Sequence, residues 1–181
     1  MLKWLMARRI AAFERAYDYD MGYARDILAV SPRALARVGD IEKLARYRRD
    51  VPLEAYYAAK VTAAKAEDCG PCTQLVVTMA ERAGVAPAVL RAVLAADERA
   101  MSADASLGFR FARAVLAHDP EANGLRQTIV ARWGRHALIS LGFAIAASRV
   151  FPTVKYALGH GQACTRITVG GRAVALLREA A

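Results

Sequence analysis

Alanine occupies 40 of the 181 positions in this chain. A chain with more than a fifth of its residues in the best helix former, whose side chain is a single methyl, favours helices that approach closely over sheets. An all-α helical bundle is therefore the expected fold class. Domains run to about 100–200 residues, so the expected organisation is one domain over residues 1–181.

Helical periodicity supports this reading along most of the chain. Leu2, Leu5, Met6, Ile10 and Phe13 fall at three-to-four spacing and predict a first amphipathic helix over residues 2–17. Ser31-Pro32 is a cap followed by a proline suited to a first helical position; it opens a segment towards Arg49 that is expected to be interrupted near Gly39-Asp40. Pro52 opens a helix ending near Asp68, and a further helix begins at Pro71 and ends at Gly84. Helical pattern continues over residues 87–97, 107–118 and 125–151, with Asp104 and Asp119-Pro120 as start signals. At the carboxyl end, Gly170-Gly171 lies between two short β-prone runs, 166–169 and 172–176, and predicts a short β-hairpin as a small appendage.

No run reaches the ~18 apolar residues of a membrane span. The best, residues 137–147, is bounded by Arg135, His136 and Arg149 and reads as a buried helix. The first twenty residues interleave charge at helical spacing and lack the apolar stretch of a secretory signal, so the expected location is cytoplasmic, with no membrane partner. The net charge of +9 is dispersed and has no basic run with interleaved aromatics, which argues against nucleic acid as a partner.

The chemistry-bearing motif is Cys69-Gly70-Pro71-Cys72. Three cysteines are present and two of them stand three apart, so redox or metal chemistry is expected rather than a disulfide framework. A thiolate is the reactive form of cysteine, and a free thiol titrates near ~8.5. Pro71 at a helix start places Cys72 in the first turn, where unpaired N–H groups and the positive end of the helix dipole favour an anion. Cys72 is therefore the expected nucleophile. Cys69 is close enough to close an intramolecular disulfide. The same tetrapeptide occurs in thioredoxins after a strand, but here the preceding residues are helical in character, which argues against that fold.

A C-x-x-C opening a helix within an alanine-rich helical chain resembles the carboxymuconolactone decarboxylase family, in particular its alkylhydroperoxidase D-like branch. The similarity runs from about residue 53 to 161, through the motif and its lead-in, the Gly84-Val85-Ala86-Pro87 turn and the later stretch 142–161. The resemblance implies an alkylhydroperoxidase D-like bundle built of a helical extension (1–50), a family-like core (51–161) and a C-terminal hairpin or tail (162–181). It implies that Cys72 attacks peroxide and Cys69 resolves the sulfenic acid, with no cofactor. Homo-oligomers, trimers or hexamers, are implied as well. The branch's relay histidine and glutamate fall on Val76 and Tyr57 in this chain, so both relay residues are replaced. Glu54, one turn off register, Tyr57 itself and Glu67 are the candidate substitutes.

The function expected is thus a thiol-dependent oxidoreductase acting on a hydroperoxide or disulfide and recycled by a dithiol reductant. The alternative is a non-catalytic oligomeric helical module whose cysteines are structural or bind zinc. Cys69, Cys72, His160 and Cys164 would supply four soft ligands for such a site. No serine–histidine–aspartate pattern, phosphate-cradling loop or paired-carboxylate motif points to a hydrolase or nucleotide enzyme.

Overall fold

The computed structural model describes residues 1–161 and 166–175, and within them the protein is all-α with a short hairpin. Its elements are α1 (Leu2–Tyr17), α2 (Gly22–Val30), α3 (Pro32–Arg46), α4 (Leu53–Ala66), α5 (Gly70–Arg82), α6 (Pro87–Ala95), α7 (Ala103–Leu116), α8 (Ala122–Ala157), β1 (Arg166–Val169) and β2 (Arg172–Ala175). Local chemistry sets several of the boundaries. The hydroxyls of Ser31 and Ser102 accept the amide protons of Ala34 and Ala105, capping α3 and α7. Gly84, at φ +98°, follows α5, and Pro87 opens α6.

Several details of the helices differ from the sequence expectation. Helix α2 is an additional element. Helix α3 runs through Gly39-Asp40 without interruption, because Asp40 pairs with Arg37 and Lys43, each one turn away at 3.0 Å, and helical support of this kind offsets a single glycine. Helix α8 is longer than predicted and breaks at Gly134, whose φ of 84° and ψ of 176° lie outside helical space. It is also the one helix among the described residues long and apolar enough to cross a membrane by composition, with a mean hydropathy of 1.6 in its most apolar window. Beyond the break, Ala137, Leu141, Ala144 and Ile145 pack into the protein's own core.

The core is organised around α4, which is buried on both sides. One side meets Val76 and Val77 of α5, Leu90 and Val93 of α6, and Ile167 and Val169 of the hairpin. The hairpin is thus part of the main core rather than an appendage. Its Gly170-Gly171 turn has positive φ at both glycines, the geometry that a two-residue hairpin requires. The other side of α4 meets Phe111 of α7 and Leu125, Ile129, Leu141 and Ile145 of α8. A third cluster, formed by Ile10, Tyr19, Tyr23, Leu28 and Leu35, belongs to the first three helices and reaches Leu75 of α5 and Val154 of α8. The N-terminal segment is therefore docked on α8 and on α5, the helix that carries the cysteine motif.

Alanine is what lets α4 and α7 come together. Ala55, Ala59 and Ala63 of α4 and Ala112 of α7 lie in one cluster, and at Gly108 the backbones nearly touch. A Cβ on Gly108 would stand 2.2 Å from the carbonyl oxygen of Ala55, a backbone atom that cannot swing away. Gly108→Ala is expected to lower unfolding free energy by about 1–3 kcal/mol, the usual cost of overpacking. Gly39→Ala, at an open position within α3, is expected to raise it by up to about 1 kcal/mol. Chemical denaturation of the two variants beside wild type measures both.

Candidate functional site

Cys69 and Cys72 are joined as a disulfide, with their Cα atoms 5.3 Å apart. Cys69 is the N-cap of α5, in extended conformation, and Cys72 lies in the first turn. The helix begins at Gly70, one residue earlier than predicted, with Pro71 still inside the first turn, where its missing N–H costs nothing. Thr73 secures the cap: its amide and its hydroxyl both donate to the Cys69 carbonyl, at 2.9 and 3.0 Å. Both cysteines are enclosed, with 0% and 5% of their surface exposed, while Pro71 between them is partly open.

The side chain that meets the motif comes from the other end of the sequence. The Tyr19 hydroxyl, on the connection between α1 and α2, lies 3.7 Å from the Cys72 sulfur. A disulfide sulfur has no proton, so the hydroxyl is the donor. Lys155, in the last turn of α8, donates from Nζ to the Tyr19 oxygen at 3.3 Å. The ammonium also stands over the rings of Tyr19 and Tyr23, at 4.7 and 5.8 Å from their centroids. Lys155 is only 3% exposed, and among the described residues no carboxylate lies within ion-pair distance of it. Burial pulls its ammonium below the ordinary lysine value, against a weaker opposing pull from Asp20. Burial likewise pushes the Tyr19 phenol up, with Tyr23 and Asp20 adding to it, and raises Tyr23 to about 12.

Sequence reasoning passed over Tyr19 and Lys155, although part of the signal was present. Leu141, Ala144, Ser148, Pro152 and Lys155 follow one another at spacings of three and four, so the lysine falls on the buried stripe of its helix. For Tyr19, two residues after Tyr17 in a run rich in aspartate, nothing local points to a cysteine more than fifty residues away.

The candidate relay residues are placed elsewhere. Glu54, in the first turn of α4, accepts a hydrogen bond from the Ser102 hydroxyl. Tyr57 is half-buried and packs edge-on against Tyr56. Glu67, two residues before Cys69, accepts from Arg149 Nε at 2.5 Å. None of the three is hydrogen-bonded to either sulfur. Val76, one turn beyond Cys72, is a core residue. A shallow groove along α8, lined by Ala146, Arg149, Val150, Thr153 and Val154, adjoins the motif turn through Arg149. In the alternative zinc set, Cys164 lies outside the described residues, while His160 pairs through Nε2 with Asp26 at 2.7 Å. Among the described residues no three histidine, cysteine or acidic side chains converge as a metal site.

A second buried lysine lies beside Tyr57. Lys60 stands over the rings of Tyr56 and Tyr57 and donates to the Ala45 carbonyl at 3.3 Å, an oxygen that the Tyr56 hydroxyl also serves at 2.5 Å. Burial, with Arg46 adding, lowers its ammonium to about 8. A base with a depressed native value binds fewer protons folded than unfolded, so its burial penalty is full below about pH 8 and fades as pH rises towards the unfolded value of about 10.4. Lys60→Met is expected to gain about 1–3 kcal/mol of stability at pH 7 and to lose the wild-type rise in stability above pH 8. Thermal melts of both proteins at pH 7 and pH 9.5 check the sign. The chain matches no known family model, no curated protein and no solved structure.

Proposed function

We propose that the protein is a thiol-dependent oxidoreductase that cycles between the Cys69–Cys72 disulfide and the corresponding dithiol, reducing a hydroperoxide in the process. The observation that carries the reading is the joined cysteine pair at the opening of α5, one sulfur on the cap and the other in the first turn. Orphan amides and the helix dipole at this end lower the cost of a thiolate at Cys72. The chemistry runs in three balanced steps. The Cys72 thiolate attacks one peroxide oxygen, the S–O bond forms as O–O breaks, and the departing alkoxide takes a proton to leave as alcohol. The Cys69 thiol then displaces hydroxide from the Cys72 sulfenic acid, giving the disulfide and water. A dithiol reductant restores both thiols by exchange, becoming a disulfide itself.

The all-α frame and the placement of the motif between two helices support the resemblance to the alkylhydroperoxidase D-like branch of the carboxymuconolactone decarboxylase family. A reducing cytoplasm would supply the dithiol. Exposed Ile139 and Phe143 on α8, together with Leu2, Trp4 and Leu5 on α1, support assembly as a homo-oligomer. The burial of both sulfurs favours a second reading, in which the disulfide only closes the first turn of α5 onto its cap in a non-catalytic module.

Reaction of the reduced protein with cumene hydroperoxide, followed by mass spectrometry in a Cys164→Ser background, separates the two. The parent protein is expected to lose two thiols and form the disulfide, Cys69→Ser to stop at a sulfenic acid on Cys72, and Cys72→Ser to react no faster than the background without either cysteine. Slow and equal reaction in all three leaves the structural reading.

A further inference from the structure

The feature that the redox reading leaves unused is a buried cation. Placing an ammonium in an apolar interior is costly unless an anion accompanies it, and Lys155 has no carboxylate partner among the described residues. Among the described residues its ammonium has one hydrogen bond, to Tyr19, and the Tyr19 hydroxyl has one other, to Cys72. When the disulfide is reduced, the charge that this chain reaches is a thiolate. Resting on the redox reading above, we infer that Tyr19 and Lys155 are the proton and charge relay of Cys72, with Tyr19 the catalytic donor and Lys155 a positioning residue acting through it.

The roles follow from the atoms. In the dithiol state the Tyr19 hydroxyl donates to the Cys72 thiolate and Lys155 Nζ donates to the Tyr19 oxygen, so the negative charge on sulfur is balanced through one phenol. As the thiolate attacks the peroxide, the departing alkoxide carries off the electron pair of the O–O bond and takes the Tyr19 proton. Lys155 replaces that proton from its ammonium and, as a neutral amine, takes one proton back from a solvent acid, hydronium or buffer. The sum is thiolate, hydroperoxide and one proton in, sulfenic acid and alcohol out. During reduction by a dithiol, Cys72 leaves as thiolate into the same hydrogen bond. The burial that pulls the Lys155 ammonium down also makes it a ready proton source.

The placement also assigns a task to the N-terminal fifty residues: they carry Tyr19 to the sulfur. Arg82 of α5 holds this segment by donating to the Ala16 carbonyl and by lying 4.5 Å over the Tyr17 ring, and His160 holds it through Asp26. The acidic groups around the relay are Asp20 beside Tyr19, Glu42 acting on Tyr23, and Glu67 and Asp68 before Cys69, with Glu67 engaged by Arg149. Each of these opposes a thiolate, and Lys155 is the cation that reaches it through a hydrogen bond.

The test is the pH dependence of Cys72 alkylation by iodoacetamide in the reduced full-length protein, read by peptide mass spectrometry, for wild type, Tyr19→Phe, Lys155→Met and Lys155→Arg. Tyr19→Phe keeps the ring that packs against Phe13 and removes only the hydroxyl. It is expected to raise the midpoint of Cys72 ionisation by roughly one pH unit and to slow the peroxide reaction at pH 7 by about tenfold. Lys155→Met should shift the midpoint in the same direction, and Lys155→Arg should restore most of the wild-type profile. An unchanged midpoint in folded Tyr19→Phe, checked by circular dichroism, overturns the relay whatever Lys155→Met does. Wild-type protein that ionises Cys72 early yet ignores peroxide would sink the peroxidase reading and leave the relay standing. Normal peroxide turnover with no effect of Tyr19→Phe would do the reverse.

Discussion

Close backbone approach between α4 and α7 is the constraint on which the architecture rests. Gly108 and the alanines opposite it allow a separation that any larger residue would block. With α4 held this way it can be buried on both sides, joining the α5, α6 and hairpin cluster to the α7 and α8 cluster. The position of the motif follows, because Cys69 sits two residues past the C-cap of α4 and caps α5 directly. The cysteine pair is therefore anchored to a helix buried on both sides through a connection of very few residues. Such placement suits a site whose two sulfurs must meet repeatedly in the same geometry.

The electrostatics of the interior are unusual in that two lysines, Lys60 and Lys155, are buried against tyrosines rather than carboxylates. Aromatic faces stabilise an ammonium, but less completely than water or an anion does, which is why burial lowers both. The two differ in what lies beyond the tyrosine. Behind Tyr56 is a backbone carbonyl shared with Lys60, a closed arrangement. Behind Tyr19 is a sulfur of the Cys69–Cys72 disulfide. That difference is what the proposed relay role of Lys155, and not of Lys60, rests on.

The relay expected from the family resemblance is replaced at both of its positions, and the substitutes sought near the motif are engaged elsewhere: Glu54 with Ser102, Glu67 with Arg149, Tyr57 with its aromatic neighbours. Helical spacing is the proximity that a sequence displays, and it reaches only residues close to the cysteines along the chain. The group that reaches the sulfur comes instead from the N-terminal segment, whose docking on α5 and α8 is a matter of tertiary packing.

What the sequence determined by itself were the local outcomes. Alanine content and apolar periodicity specified helices, Ser31 specified a cap, the Gly170-Gly171 pair specified a tight turn, and Cys69-Gly70-Pro71-Cys72 specified a dithiol at a helix start, because each depends on interactions within a few residues. The run through Gly39 is local too, held by the pairs of Asp40 with Arg37 and Lys43, whereas the inclusion of the hairpin in the core was decided by what packs against Ile167 and Val169. The meeting of Cys72, Tyr19 and Lys155 was decided by tertiary structure alone. Those residues come from three elements separated by 53 and 136 positions along the chain, and only burial of the apolar faces of α1, α2, α5 and α8 together brings a phenol between an ammonium and a sulfur.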